Sequence, residues 1–324
     1  MTLALPARIE QTTHAKGGQV HDIRLAIGLM VMLSIGVYFV TLRLLRNRSK
    51  LFLDVIAAVI VVLTLAYVRF IWDQLWIVNW IPLPSAIVLT NWFPLLLSAL
   101  AATVWLRLSP GSLARRAPAM MLMIAAAVYS VMYFVPTEVP VCQDEWMKAL
   151  PPLQHAVCVQ TNDHTCSPAA AATILVALGI DANEQEMARL CMTSKRGTTW
   201  LGLYHGLATK LLGSGYRVEF FQAHTSDLQN LSAEFPLLLC CELNESDADM
   251  VPKYVSDDGW KPGVAHSVVY FGTVGQADQH VIGDPSRGYE IWTAHDLGLL
   301  WTGTGLRIRK LSDKSTAAKT SAGK

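Results

Sequence analysis

Apolar residues are unevenly spread along this chain: four long unbroken runs occupy the first part, and only short or alternating runs follow. Residues 23–45, 51–71, 85–106 and 118–135 each approach the roughly 20 apolar residues of a membrane-crossing helix. They predict a transmembrane anchor of four helices over 23–135, preceded by an N-terminal segment, 1–22. The pattern changes at Pro136-Thr137-Glu138-Val139-Pro140, where prolines and charges begin, so 136–155 reads as a linker.

Beyond it the periodicity is that of a globular domain over 156–311. Helices are predicted at 166–178, ended by Gly179, at 181–191 with Asp181 as its cap, and at 199–212. Pro168 fits the first of these because a proline is tolerated in a first turn. Strands are predicted at 217–222, 237–242, 267–272, 280–282 and 305–309, each bounded by Gly, Asp or Pro. Helices followed by antiparallel strands make this an α+β domain. The Ser-, Thr-, Ala- and Lys-rich tail, 312–324, has the composition of disorder.

With 52% hydrophobic and 16% charged residues, the chain is more apolar than a soluble protein. Its net charge of +1 gives no footprint for nucleic acid. The bases are instead sorted by loop. Arg43, Arg46, Arg48 and Lys50 follow the first run, and Arg107, Arg115 and Arg116 follow the third. The 72–84 connection has no Lys or Arg. By the positive-inside rule the two basic loops are cytoplasmic, which puts the C-terminal domain outside, in the periplasm if the bilayer is a bacterial inner membrane. Arg8, Lys16 and Arg24 oppose this order. Trp72, Trp76 and Trp80, four apart, are expected on one face of a short interfacial helix.

The candidate chemistry begins at Cys166, which opens a predicted helix six residues after Gln160. A helix N-terminus favours thiolate over thiol, and a glutamine amide can donate to an oxyanion. His266, at the entry to a predicted strand, can act as base, and Asp284, 18 residues later at the exit of the next, can orient it if the two strands are adjacent. Other readings use the same atoms. His164 is a rival base, and Asp284 before Pro285 is by itself a common turn residue. Cys166 could be buried, or bridged to Cys191. His164, Cys166, His266 and Asp284 could also ligate zinc, although no Cys-x-x-Cys or His-Glu-x-x-His element supports a metal. No cofactor is expected.

Gln160, Cys166-Ser167-Pro168-Ala169, His266, Asp284-Pro285 and Trp301-Thr302-Gly303 together resemble the bacteriocin-processing cysteine peptidases, papain-like domains that remove double-glycine leader peptides. The resemblance spans about 156–309. It implies Cys166 as nucleophile, His266 as base, Asp284 as orienting carboxylate and Gln160 as oxyanion donor, with a peptide or protein precursor as substrate and an export or biosynthetic system as partner. The chain departs from the family in reading Thr165-Cys166-Ser167 where Asp-Cys-Gly is usual. No Walker-type glycine loop of an export ATPase occurs in it.

The expected activity is therefore membrane-anchored peptide-bond hydrolysis. Acyl transfer by a transglutaminase-like enzyme and peptide capture by an inactive domain are the alternatives. An exported domain would meet oxidising conditions, in which Cys142 and Cys158 are expected to pair, worth roughly 3 kcal/mol. Cys191, Cys240 and Cys241 are expected to be buried thiols, with Cys240 and Cys241 on opposite faces of a strand.

Overall fold

A computed structural model describes residues 11–108, 113–132, 138–148, 155–257, 259–275 and 279–311. The N-terminal ten residues and the tail expected over 312–324 lie outside the described residues. The chain divides into two compact units, one of residues 1–74 and 84–135, the other of 75–83 and 136–324.

The first unit is helical: α1 (Gln11–Leu45), α2 (Lys50–Phe70), the single turn α3 (Ala86–Leu89), α4 (Phe93–Arg107) and α5 (Leu113–Met132). Three stretches, Ile23–Leu45, Lys50–Phe70 and Ala86–Arg107, are long and apolar enough to cross a membrane. The fourth run is helical too, but α5 starts at Leu113 and holds Pro118 inside it. The good helix formers between Leu113 and Ala117 extend it backwards. The bundle centres on α4, whose Pro94, Leu97, Ala101 and Ala102 are buried, while Leu25, Met32, Leu63 and Leu65 of α1 and α2 face outward. Several polar groups inside it find partners within the unit, which lowers their cost in a bilayer, although Asn91 Oδ1 and Arg116 Nε have none among the described residues. Tyr67 Oη donates to the Thr90 carbonyl at 2.8 Å and accepts from the Trp92 amide at 3.1 Å. Asn91 Nδ2 donates to the Ser130 carbonyl at 3.1 Å.

The expected tryptophan-faced helix is corrected. The connection forms a 3₁₀ turn, Leu75–Asn79, in which residues four apart no longer share a face. Trp72 packs on Tyr67 and Phe93 in the first unit, whereas Trp80 is 81% exposed in the second.

The second unit is built on a six-stranded antiparallel sheet. Its strands are β3 (Tyr216–Gln222), β4 (Leu237–Glu242), β5 (Ala265–Thr273), β6 (His280–Asp284), β7 (Gly288–Trp292) and β8 (Trp301–Lys310), ordered β3-β8-β4-β5-β6-β7. A two-stranded ladder, β1 (Glu145–Met147) with β2 (Val157–Val159), precedes it, so the segment read as a linker contributes a strand. The helices α6 (Cys166–Ala177), α7 (Glu184–Leu190) and α8 (Trp200–Lys210) follow β2. The short helices α9 (Leu228–Leu231), α10 (Pro252–Ser256) and α11 (Ala294–Leu300) complete the unit.

On one face of the sheet, Leu237, Leu239, Cys241, Val268, Tyr270 and Ile282 pack into a core with Tyr254, Trp292 and Leu300. The alternate residues face α6, which is apolar all round and buried from Ser167 to Leu175. The Ala169–Ala172 run lets α6 approach the strands closely. Ser167 Oγ meets Ser267 Oγ of β5 at 2.8 Å, which fixes the start of α6 against the sheet.

Helix α7 is capped by Asn183, whose side chain accepts from the Glu186 amide at 2.7 Å; this corrects the expected cap at Asp181. Edge strand β3 meets the 3₁₀ turn directly. Asn79 Nδ2 donates to the Phe220 carbonyl at 3.0 Å and Asn79 Oδ1 accepts from the Phe220 amide at 3.1 Å.

Candidate active site

Four elements bring the candidate side chains to one narrow cleft. Cys166 is the first residue of α6, and its N-cap residue Thr165 does not cap the first turn. The Thr165 hydroxyl is turned back onto Asn162, accepting from its amide at 3.1 Å and donating to its carbonyl at 2.9 Å. The positive end of α6 is thereby left to act on the Cys166 thiol. Gln160 follows β2 directly, its amide donating to the Pro285 carbonyl at 2.7 Å.

His266 is the second residue of β5 and Asp284 the last of β6. These strands pair antiparallel with Val269 opposite Gly283, so Asp284 falls opposite Val268, two residues from His266 on the same face. Diagonal neighbours in a sheet are within reach of long side chains. His266 Nε2 lies 2.8 Å from Asp284 Oδ1. Cys166 and His266 line the same cleft, where the charge of each acts on the other.

The carboxylate is wholly buried and has four donors or donor-capable partners. Besides His266, Oδ1 accepts from the Ser286 amide at 2.8 Å and the Ser286 hydroxyl at 2.7 Å; Oδ2 accepts from Trp260 Nε1 at 2.9 Å. Asp284 therefore makes the turn that its position before Pro285 predicts and also holds His266; the two readings are compatible. The Trp260 ring lies 4.4 Å from the His266 ring. Sequence reasoning missed Trp260 and Ser286. The available signals were a single aromatic among the polar and turn residues of 256–263, and a serine two residues after an Asp, where an Asx turn places its amide.

Electrostatics separate the groups. Burial works against charge on Asp284, but His266 and the Ser286 donors outweigh it and hold the carboxyl below its ordinary range. Burial likewise disfavours the imidazolium, yet the Asp284 and Cys166 charges keep His266 above the ordinary histidine range. For Cys166, burial is outweighed by the His266 charge, with further hydrogen bonds from His266, Ser267 and Ser167, so its thiol is held below the usual value. A depressed thiol beside an elevated imidazole favours the thiolate–imidazolium form.

The other cysteines differ. All six are free, so the expected Cys142–Cys158 bridge is not formed and Cys166 is not linked to Cys191. The Cys142 thiol instead donates to the Pro140 carbonyl at 3.7 Å. Burial first, then the Glu184 and Asp144 carboxylates, push its thiol up to about 12. Burial raises Cys191 and Cys241 as well.

The cleft at Cys166 holds about 40 Å³ and is lined by Gln160, Asp163, Trp260, Lys261, Val264 and Ser286, among others. By that measure one water needs about 10–15 Å³, so the cleft would admit a few waters. Lys261 Nζ bridges to Asp163 Oδ2 at 2.7 Å across its rim. His164, the rival base, is not among the cleft residues. Among the described residues, no three His, Cys, Asp or Glu side chains are arranged to hold a metal ion.

Comparison with known proteins gives a consistent picture. Residues 154–313 match the model of the Peptidase C39 family. An uncharacterized protein of Methanothermobacter thermautotrophicus is 38% identical over 64 residues, 19% of this chain and 45% of that protein. The chain thus spans about half the length of the curated relatives it matches. Among solved structures, the peptidase domain of Streptococcus ComA, a bi-functional ABC transporter involved in a quorum sensing pathway, is 22% identical with a TM-score of 0.36, over 47% of this chain and 96% of that one. A double glycine motif protease from an AMS/PCAT transporter, solved with its leader peptide, is 16% identical with a TM-score of 0.34, over 53% of this chain and 96% of that one.

Proposed function

We propose that this chain, whose residues 154–313 belong to the Peptidase C39 family, cleaves peptide bonds of a peptide or protein precursor from a membrane anchor. The observation that carries the reading is the run of contacts from Cys166 through His266 to Asp284, with a lowered thiol and a raised imidazole. The Cys166 thiolate attacks the scissile carbonyl, and the Gln160 carboxamide donates to the oxyanion that forms. His266 then gives its proton to the leaving amine as the C–N bond breaks. Water, deprotonated by His266, releases the acyl group and regenerates the thiolate. Asp284 holds the ring and its charge throughout.

The narrow cleft favours small residues at the scissile bond, in keeping with the double-glycine motif named for one structural relative. An export or biosynthetic system would supply the precursor. We further propose that the catalytic unit lies outside a bacterial inner membrane. The sorted basic loops support this, as does the pairing of Asn79 with Phe220. That pairing favours a connection after α2 and a catalytic unit on one side, with α5 crossing as a fourth span.

An electrophilic peptide aldehyde ending in Gly-Gly tests the reading. It should form a reversible adduct with the wild type and none with Cys166→Ala. Equal binding by both would remove the thiol mechanism. Product masses from a cleaved precursor distinguish hydrolysis from acyl transfer.

A further inference from the structure

Glu184 is a carboxylate that the chemistry above does not use, and it is wholly buried at the start of α7. An isolated charge is costly in such a place unless donors surround it. Both its oxygens are spent on one residue. Oε1 accepts from the Thr161 amide at 2.8 Å and Oε2 accepts from the Thr161 hydroxyl at 2.5 Å. Thr161 Oγ1 also accepts from the Gln143 amide at 2.8 Å, so its hydroxyl both donates and accepts here.

Thr161 is the residue after Gln160. On the other side, the Gln160 amide is fixed by the Pro285 carbonyl. The backbone carrying the carboxamide is therefore clamped at two consecutive residues, once to the Asp284 loop and once to α7. The next residue of α7 reinforces the clamp. Gln185 takes the Cys142 amide on Oε1 at 3.0 Å and gives Nε2 to the Pro140 carbonyl at 3.1 Å, while its own amide donates to Asp144 Oδ1 at 3.0 Å. This lacing holds 140–144 over the Thr161 side of the loop.

We infer that Glu184 is a positioning residue that acts through Thr161 to aim the Gln160 carboxamide at the oxyanion. The inference rests on the reading of Gln160 as oxyanion donor. A donor contributes to catalysis only when it is already aimed where the charge will develop. Loosening the clamp should therefore slow acylation without changing substrate affinity or the reactivity of Cys166.

The test uses the full-length protein and the p-nitrophenyl ester of acetyl-glycyl-glycine as probe. Glu184→Gln and Thr161→Val should each lower kcat on the order of 10-fold, below the ~10²–10³ of deleting a donor outright. KM should stay within about twofold, as expected when only a transition-state contact is lost. Alkylation of Cys166 by iodoacetamide, which forms no oxyanion, should proceed at the wild-type rate. In a Gln160→Ala background, Glu184→Gln should cause no further loss. Thr161→Val removes only a hydroxyl, so it answers the question if Glu184→Gln does not fold. Full additivity with Gln160→Ala, or slowed alkylation in folded protein, would overturn the positioning role and leave the Cys166 mechanism intact. Turnover that survives Cys166→Ala would instead remove the thiol reading, and this inference with it.

Discussion

The amide of Gln160 donates to the carbonyl of Pro285 at 2.7 Å, tying the loop that carries the carboxamide to the loop that carries the Asp284 carboxylate. The two ends of the candidate site, far apart in sequence, thus move together. Removing a side chain from either end should alter the chemistry while leaving this backbone link in place. Cys166→Ala should abolish turnover in folded, membrane-inserted protein. Gln160→Ala should lower it on the order of 100-fold, the scale of one oxyanion donor. A loss of tenfold or less on a validated substrate would reduce Gln160 to scaffold.

Cysteine reactivity should be selective. Cys166 is held below the ordinary thiol value and His266 above the ordinary imidazole value, whereas Cys142, Cys191 and Cys241 are raised. At neutral pH, iodoacetamide should therefore modify Cys166 first, as mass spectrometry of timed samples would show. The sign follows from the shifts. Reactivity is present as a thiolate below the free-thiol value of about 8.5 and is lost as pH falls through the depressed Cys166 value. Asp284→Asn removes the charge that raises His266, so this acid limb should move to higher pH. An unmoved limb would mean that Asp284 is no more than a turn residue.

Trp260 is a further test of the carboxylate. Trp260→Phe keeps an aromatic beside His266 but removes the donor to Asp284 Oδ2. A hydrogen bond to a charged acceptor is worth ~1.5–3 kcal/mol, and only part of it should reach the transition state. A fall in kcat of about 10-fold is expected, with an unchanged circular dichroism spectrum.

Stability has its own marker at Gly206, inside α8. Replacing a helical glycine with alanine ordinarily stabilises by ~1 kcal/mol. Here an added Cβ would lie 2.3 Å from Cys191 Sγ and 2.9 Å from the Cys191 amide nitrogen. Overpacking of that kind costs ~1–3 kcal/mol, so Gly206→Ala should lower the thermal midpoint instead of raising it. A raised midpoint in detergent would show that the Cys191 turn gives way freely.

Topology can be read with reporter fusions. Alkaline phosphatase joined after Leu311 should be active and a fusion at Arg48 inactive. The reverse pattern would put the catalytic unit in the cytoplasm.

Much of this arrangement was legible because local rules and tertiary demands agree. The apolar runs, the helix opened by Cys166 and the strands bearing His266 and Asp284 all carry period, cap or turn signals. The strand β7 was missed because Gly288–Trp292 is buried only at its ends, and Tyr289, Glu290 and Ile291 between them give no clear apolar alternation. Helix α11 was missed although Thr293 and Asp296 form a capping box, a signal that could have been read. The Cys142–Cys158 bridge is absent, and burial raises both thiols, which no sequence spacing reports. Trp260 gave only a faint signal, since its value lies in a contact 24 residues away.

Asn79 offers Phe220 one donor and one acceptor, as a neighbouring strand would, so the outer rim of the catalytic sheet is finished by a residue from between two apolar helices. A soluble fragment cut at Pro136 would leave that rim unfinished. Exposed strand edges recruit other strands. Such a fragment should self-associate through β3 as its concentration rises, and its behaviour in solution would then describe an artefact of the cut. On the proposed reading, the segment between the two apolar helices contributes to solubility, and an assay should use the full-length protein.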